Sequence, residues 1–291
     1  MSTLWIVMVI VFSAMQSIMQ KQYNKKTDGR GIFAFCAAAA PAAMLVFLLT
    51  AVHPLSFTPK ILPFSLAFSL SHASAVLFSV LALRCGPMAI TLLITSYSLL
   101  IPTAYGIFFL HNPVSLTLAV GIVLLLVSLA LINRKKESGE GATAVKPSGK
   151  WLIFVTLAFI GNGMCSTVQN IQIQVYEGAY KSEFMLTALC ISFVVMLCAT
   201  VLFERKERSA VLRCGAVYAV LYGLFNGLVN FLVILLLQAG ELPNTVIFPC
   251  ISAGGMILTF LAAVFLYKEK MSKTQIAGFF IGVGSVIFLN I

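Results

Sequence analysis

Inside otherwise apolar stretches of this 291-residue chain, polar side chains recur at helical spacing. Ser65, Ser69, His72 and Ser79 lie four, seven and fourteen residues apart, which places them on one face of a helix. Tyr218, Tyr222, Asn226 and Asn230 form a ladder with a step of four. Asn162, Ser166 and Gln169 share a face, as do Ser13, Gln16 and Gln20. Thr91, Thr95 and Ser98 line up with Pro102 one turn further on. Such residues can do one of two things. Ser, Thr, Asn and Gln hold helices together by hydrogen bonds across a bundle. They can also line a cavity that binds a polar molecule. A primary amide offers two donors and an acceptor with two lone pairs, which is much to satisfy in a dry helix contact. His72 adds an ionisable group, and an imidazole can carry a proton near neutral pH. The alternative for His72 is a neutral, hydrogen-bonded ring.

The elements that carry these ladders must be membrane spans. The sequence is 60% hydrophobic and 10% charged, against about 25% charged residues in an ordinary soluble domain. Its apolar runs approach the roughly 20 residues a helix needs to cross lipid. They fall near 3–21, 31–52, 61–83, 88–110 and 114–133, then near 151–172, 184–203, 213–238, 243–266 and 273–290. The expectation is an all-α integral membrane protein with ten transmembrane helices. The first run lacks a basic leader and continues through Gln16 and Gln20 to Lys21, so it reads as a retained span. The one long polar stretch, "RKKESGEGATAVKPSGK" at 134–150, divides the chain into 1–133 and 151–291.

The two parts resemble each other. "SLTLAVGIVLLLVSLALIN" at 115–133 and "SKTQIAGFFIGVGSVIFLN" at 272–290 share Ser, Thr, Gly, Ser and Asn at a constant offset of 157. An offset of 149 pairs Ser17 with Ser166 and Gln20 with Gln169. An offset of 154 pairs His72 with Asn226, and one of 156 pairs Ser96 with Ser252 and Thr103 with Thr259. Five spans is an odd number, so a second copy would enter the membrane from the other side. The expected architecture is therefore two inverted five-helix repeats, a plan that puts a substrate site near the midplane between them. The pairing of His72 with Asn226 and of Gln20 with Gln169 favours the cavity over simple helix contacts. The candidate substrate-binding residues are Gln16, Gln20, His72, Thr95, Ser98, Asn162, Ser166, Gln169, Tyr222, Asn226 and Asn230. His72 is also the candidate for proton coupling, because it is the ionisable group placed well inside a span.

Charge sets the expected orientation. Loops after the first, third, fifth, seventh and ninth spans hold 17 of the 19 Lys and Arg residues. The positive-inside rule puts these loops in the cytoplasm and both termini outside the cell membrane. The net charge of +10 is explained this way rather than by nucleic acid. The seven cysteines include no C-x-x-C pair and read as small buried hydrophobes, with no disulfide framework and no metal site. "GFFIGVG" (278–284) follows no strand and reads as small-residue helix packing. "AAAAPAA" (37–43) likewise permits close packing, and "ERKER" (204–208) reads as a solvated or headgroup-facing loop. Glu241, at a span end, is a candidate for the cavity mouth.

The closing segment "FLYKEKMSKTQIAGFFIGVGSVIFLN" resembles the drug/metabolite transporter superfamily in its EamA-like ten-helix branch. Phe265, Leu266, Glu269, Ser272 and Gly278 match the pattern of that family, whereas His111-Asn112-Pro113 stands where the first half usually has a Glu. The resemblance implies secondary transport of a small metabolite by alternating access. In organellar relatives it implies cytosolic termini, opposite to the charge count. The expected function is transport of a small polar metabolite, amino acid or nucleobase-like, by a monomer or homodimer in the lipid bilayer without a cofactor. With no Asp or Glu expected mid-membrane, a neutral or zwitterionic substrate suits the spans better than a bare cation. A non-transporting scaffold would have a dry interior. An intramembrane enzyme would need a carboxylate pair, a nucleophile–His set or a metal cluster, and only His72 near Ser69 or Ser74 comes close.

Overall fold

The computed structural model describes residues 2–51, 55–109, 116–133, 148–177, 179–204, 214–239, 241, 244–268 and 272–288. Among them the chain is helical and contains no strand. The helices are α1 (Ser2–Thr27), α2 (Ile32–Leu49), α3 (Leu62–Cys85), α4 (Met88–Ser96), α5 (Leu100–Phe109), α6 (Leu116–Asn133), α7 (Gly149–Val175), α8 (Lys181–Phe203), α9 (Ala216–Ala239), α10 (Asn244–Phe265) and α11 (Lys273–Phe288). Two 3₁₀ turns, Pro59–Ile61 and Tyr97–Leu99, precede α3 and α5. Six helices, α1, α2, α3, α7, α8 and α9, are long and apolar enough to cross a membrane, the turn Pro59–Ile61 being counted with α3. The expected linker residues 134–147, the His111-Asn112-Pro113 step, Glu269 and Cys250's side chain lie outside what is described.

Helices dominate for a physical reason. In hydrocarbon each unpaired backbone group costs several kcal/mol, and a helix satisfies them all within one segment. Large apolar side chains such as Leu4, Leu49, Leu70 and Phe203 point outward, which water would penalise and lipid does not.

The run 88–110 reads as one continuous span, but the backbone breaks into α4 and α5 at the Tyr97–Leu99 turn. The cause is Pro102. A helical proline has no N–H to donate and its ring crowds the carbonyl four residues earlier, which here belongs to Ser98. That carbonyl is pressed against α7 at Gly163, where a Cβ would come within 2.6 Å of the Ser98 oxygen. Only a residue without a side chain fits there.

Close helix contacts run through small residues. A Cβ on Gly161 of α7 would meet the Ala75 nitrogen of α3 at 2.7 Å. One on Gly223 of α9 would meet the Ala39 oxygen of α2 at 2.0 Å, and one on Gly227 the Ala43 oxygen at 2.9 Å. The alanine run 37–43 thus forms a flat bed for α9. The packing partners are α3 with α7 and α8, α1 with α9 and α10, α2 with α8 and α9, α4 with α7 and α10, and α6 with α11. The similar segments of α6 and α11 therefore lie against each other. Ser128 of α6 donates to the Gly278 carbonyl of α11 at 2.6 Å, and Ser285 donates to the Gly282 carbonyl at 2.7 Å. Both serines are fully buried, and the Tyr97 hydroxyl lies 2.9 Å from Ser128 Oγ and beside Ser285.

Two glutamates of α8 and its C-cap tie that helix to the first half of the chain at opposite ends. Glu204 accepts from the N–H groups of Phe33 (3.1 Å) and Ala34 (2.9 Å), satisfying free donors at the start of α2. Glu183 accepts from the Ser56 N–H at 2.9 Å. The loop reading of "ERKER" did not include this capping role of Glu204, and residues 205–208 lie outside what is described. At the Glu204 end Arg84 donates to the Gly29 carbonyl (3.1 Å), and Lys21 reaches the Leu83 carbonyl (3.4 Å). At the Glu183 end Tyr176 donates to the Lys60 carbonyl (3.0 Å) and Lys181 to Gln238 (2.6 Å).

The contact at Gly223 gives a direct test. Gly223→Ala forces α9 away from α2 and is expected to cost about 1–3 kcal/mol, the usual range for overpacking. Gly284→Ala, where nothing lies within 4 Å of the added carbon, should leave stability unchanged or slightly raised. Thermal unfolding of both variants in detergent, followed by intrinsic fluorescence, checks this.

Candidate functional site

Helices α1, α3, α7, α9 and α10 and the α4–α5 break surround a cavity of about 270 Å³. All eleven residues proposed from the sequence line it. Gln16 and Gln20 come from α1, His72 from α3, Thr95 from the end of α4, and Ser98 from the 3₁₀ turn. Asn162, Ser166 and Gln169 come from α7, and Tyr222, Asn226 and Asn230 from α9. The helical spacing accounts for this convergence: steps of three and four put each set on one stripe, and the packing turns the stripes toward a common centre.

Asn226 is the hub. Its Nδ2 donates to Gln16 Oε1 at 3.1 Å, and its Oδ1 pairs with His72 Nε2 at 3.1 Å. Asn230 Nδ2 donates to the Asn226 backbone oxygen at 2.9 Å. Asn226 turns its Oδ1 to His72, an arrangement that suits an imidazole protonated on Nε2. His72 Nδ1 is then an acceptor, and it is buried without a protein partner. Phe68 stacks on the His72 ring, with centroids 5.8 Å apart and planes 12° from parallel, and fixes its orientation.

Gln20 accepts from Ser79 at 3.1 Å. Asn162 Nδ2 donates to Ser98 Oγ at 2.7 Å, tying α7 to the helix break. Thr95 and Ser166 bond backward to carbonyls of their own helices, Thr91 and Asn162. Gln169 is 6% exposed and its Nε2 is enclosed without a protein partner. The described lining residues include no Asp, Glu, Lys or Arg.

Further lining residues lie outside the eleven. Ser13 and Ser79 stand on stripes already recognised, and Ser17 and Thr259 on repeat pairs. Phe68, Cys165 and Val229 were not singled out. Their spacing was the available signal: Phe68 precedes His72 by one turn, and Cys165 and Val229 follow Asn162 and Asn226 by three residues. Apolar residues in an apolar span carry no contrast by which to pick them out. Glu241 is not among the cavity residues. It accepts a hydrogen bond from the Ser2 hydroxyl, which holds its carboxyl below the usual range. Among the described residues no group of three or more His, Cys, Asp or Glu could hold a metal.

No family model and no curated protein matches the sequence. The fold has counterparts among solved structures. A crystal structure of a protein aligns with TM-score 0.58 over 99% of this chain and 94% of that one, at 14% identity. At that identity the likeness bears on the fold alone.

The hub predicts unequal costs along one helix stripe. Asn226→Leu strips partners from Gln16 and His72 and is expected to destabilise by roughly 1–3 kcal/mol, the penalty for stranding a buried polar group. Asn230→Leu removes a bond to its own helix and should cost less than about 1 kcal/mol. Parallel melting curves in the same detergent distinguish the two.

Proposed function

We propose that this protein is a secondary transporter that moves a small polar metabolite across the cell membrane by alternating access. The observation that carries the reading is the cavity, lined by amides, hydroxyls and one imidazole from helices on both sides of the 134–150 linker. A scaffold gains nothing from a polar hollow among apolar helices, because burying polar groups costs free energy unless they are paired. At about 270 Å³ the hollow falls just below the usual range for drug-sized ligands, which suits a small metabolite. The interruption between α4 and α5 borders it, and broken helices at midplane sites are a recurring transporter device.

The architecture we propose is ten spans in two inverted five-helix repeats, α4 and α5 together forming the fourth. The packing supports it. If α1, α2, α3, α4–α5 and α6 correspond to α7, α8, α9, α10 and α11, the most extensive contacts have counterparts on exchange. The α3–α7 contact maps onto α9–α1, α2–α9 onto α8–α3, and α1–α10 onto α7–α4, while α2–α8, α4–α10 and α6–α11 map onto themselves. This is the plan of the drug/metabolite transporter superfamily, to which we assign the chain as a proposal. The basic residues Lys21, Lys25, Lys26, Arg30 and Arg84 gather at the Glu204 end, which we place in the cytoplasm. Both termini then lie outside.

Proton coupling is assigned to His72, whose Nδ1 lacks a protein partner. Reconstituted into vesicles, the protein should exchange a labelled solute in counterflow and accumulate it when a pH gradient is imposed. His72→Ala removes a lining side chain and so weakens counterflow, and beyond that loss the gradient-driven accumulation should fall by at least about tenfold, as expected when one required protonation step is removed. Accumulation that persists in the variant removes His72 from the coupling. Absence of flux for every solute tested, with single cysteines placed in the cavity reacting with impermeant reagents from neither side, favours the scaffold.

A further inference from the structure

Four of the helices around the cavity form two pairs. α1 packs along α9 and α3 along α7, and the cavity lies between the pairs. Toward the Glu204 end three hydrogen bonds join them. Ser79 of α3 donates to Gln20 Oε1 of α1 (3.1 Å), Asn24 Nδ2 to the Val80 carbonyl (2.9 Å) and Lys21 Nζ to the Leu83 carbonyl (3.4 Å). At the same end Leu83 of α3, Leu92 of α4 and Ala263 of α10 share one buried cluster, with Ile18 of α1 packed against it. Gln20, Ser79 and Leu92 line the cavity, so these contacts form its floor.

The other end is built differently. Exchange of the halves carries α1 and α3 onto α7 and α9, so the floor predicts a matching contact between α7 and α9 toward the Glu183 end. None of comparable extent is present. α2 likewise packs on α3, with no comparable contact between α8 and α9. Leu83 is 1% exposed, whereas its counterpart Leu237 is only partly buried. The pairs touch at one end and stand apart at the other. One tie between them is exempt from this asymmetry. His72 of α3 meets Asn226 of α9 at 3.1 Å, and the offset of 154 carries each of these positions onto the other. A tie on the axis of exchange can persist while the pairs rock about it.

Asn24 makes the floor releasable. Its Nδ2 is bonded to Val80, but its Oδ1 is buried without a protein partner. An unpaired buried acceptor costs free energy in the closed arrangement, and parting α1 from α3 returns it to water. The counterpart position at the other end is Ile173, an apolar residue with no such cost.

We propose that the transporter adopts two arrangements, of which this structure is the one closed at the Glu204 end and open at the Glu183 end. The pairs rock about the His72–Asn226 tie until α7 meets α9 through Gln169, Ile173 and Val233, and the half-satisfied Asn24 sets how readily the Glu204 end opens. This rests on the transporter reading and on exchange of the halves, and it names the residues that carry the rocking expected of inverted repeats.

The test uses purified full-length protein in detergent, free of added solute, and a short bifunctional thiol reagent. Two cysteine pairs at exchange-related positions are compared: Gln20→Cys with Ser79→Cys, and Gln169→Cys with Val233→Cys. All four positions line the cavity. Initial cross-linking rates are read by mass spectrometry. Single-cysteine variants correct for the native thiols, and a monofunctional reagent calibrates the reactivity of each position. The first pair should cross-link at least about tenfold faster than the second, which reacts only through the minor arrangement. Asn24→Leu replaces the half-satisfied amide with an apolar side chain of similar size and holds the floor closed. It should slow the second pair by at least about fivefold, the effect of removing one unpaired buried group. The first pair should react at its original rate in the same variant, which shows that the slowing is not lost folding.

Equal initial rates for the two pairs overturn the assignment of the closed end and leave the transporter reading intact. A second-pair rate that Asn24→Leu does not reduce overturns the role of Asn24. If the second pair never cross-links on prolonged exposure, although both of its cysteines react with the monofunctional reagent, the pairs do not rock. That result overturns the inference along with the reading beneath it.

Discussion

Each polar group carried into this apolar bundle must find its partner inside it, and the two kinds of polar side chain meet that demand differently. A hydroxyl can bond back to the carbonyl one turn earlier on its own helix. Ser17, Ser71, Thr91, Thr167, Thr187 and Thr200 all do so. These residues need nothing from a neighbouring helix. A long amide cannot close such a loop with both its ends. It must reach across, as Asn226 does to Gln16 and His72 and as Asn162 does to Ser98. The amides are therefore drawn to the place where several helices meet, and the cavity forms around them.

The same demand shapes the backbone. Helix ends leave donors and acceptors free, and the chain meets some of these needs with distant side chains. Glu204 caps α2, Ser148 caps α7 through the Trp151 N–H, and the Tyr23 hydroxyl lies 2.6 Å from the carbonyls of both Arg30 and Gly31. The indole of Trp151 is fully buried against Gly86 and donates to Thr91 Oγ1 at 3.0 Å. These ties join parts of the chain up to about 170 residues apart, so the two sides of the linker fold onto each other.

Much of this was legible beforehand. Apolar runs marked the helices, because in lipid a span needs length and hydrophobicity and little else. The ladders marked the cavity, because a polar group in an apolar segment stands out and its spacing gives its face. Other features left no local trace. The break at Tyr97–Leu99 hung on Pro102, visible in sequence, yet a membrane helix often absorbs a proline without breaking. The roles of Glu204 and Glu183 were hidden because their partners are backbone N–H groups, which any residue supplies. Hydroxyls expected to bridge helices turned inward to their own, since sequence gives the face of a serine but not its rotamer.

Tyr97 sits where α6 and α11 meet, its hydroxyl 2.9 Å from Ser128 and beside Ser285. Those serines occupy equivalent positions in the two similar segments, but Tyr97 has no such equivalent: the offset that relates its span to the later one pairs it with Ala253. Under the proposed exchange of halves, a point on its axis can be filled once. A molecule built from two identical copies of the earlier half would bring two phenols to a space that holds one, and two copies of the later half would bring none. Holding both halves in a single chain permits each side of that junction its own residue, so the asymmetry at Tyr97 is one that a dimer of identical halves could not carry.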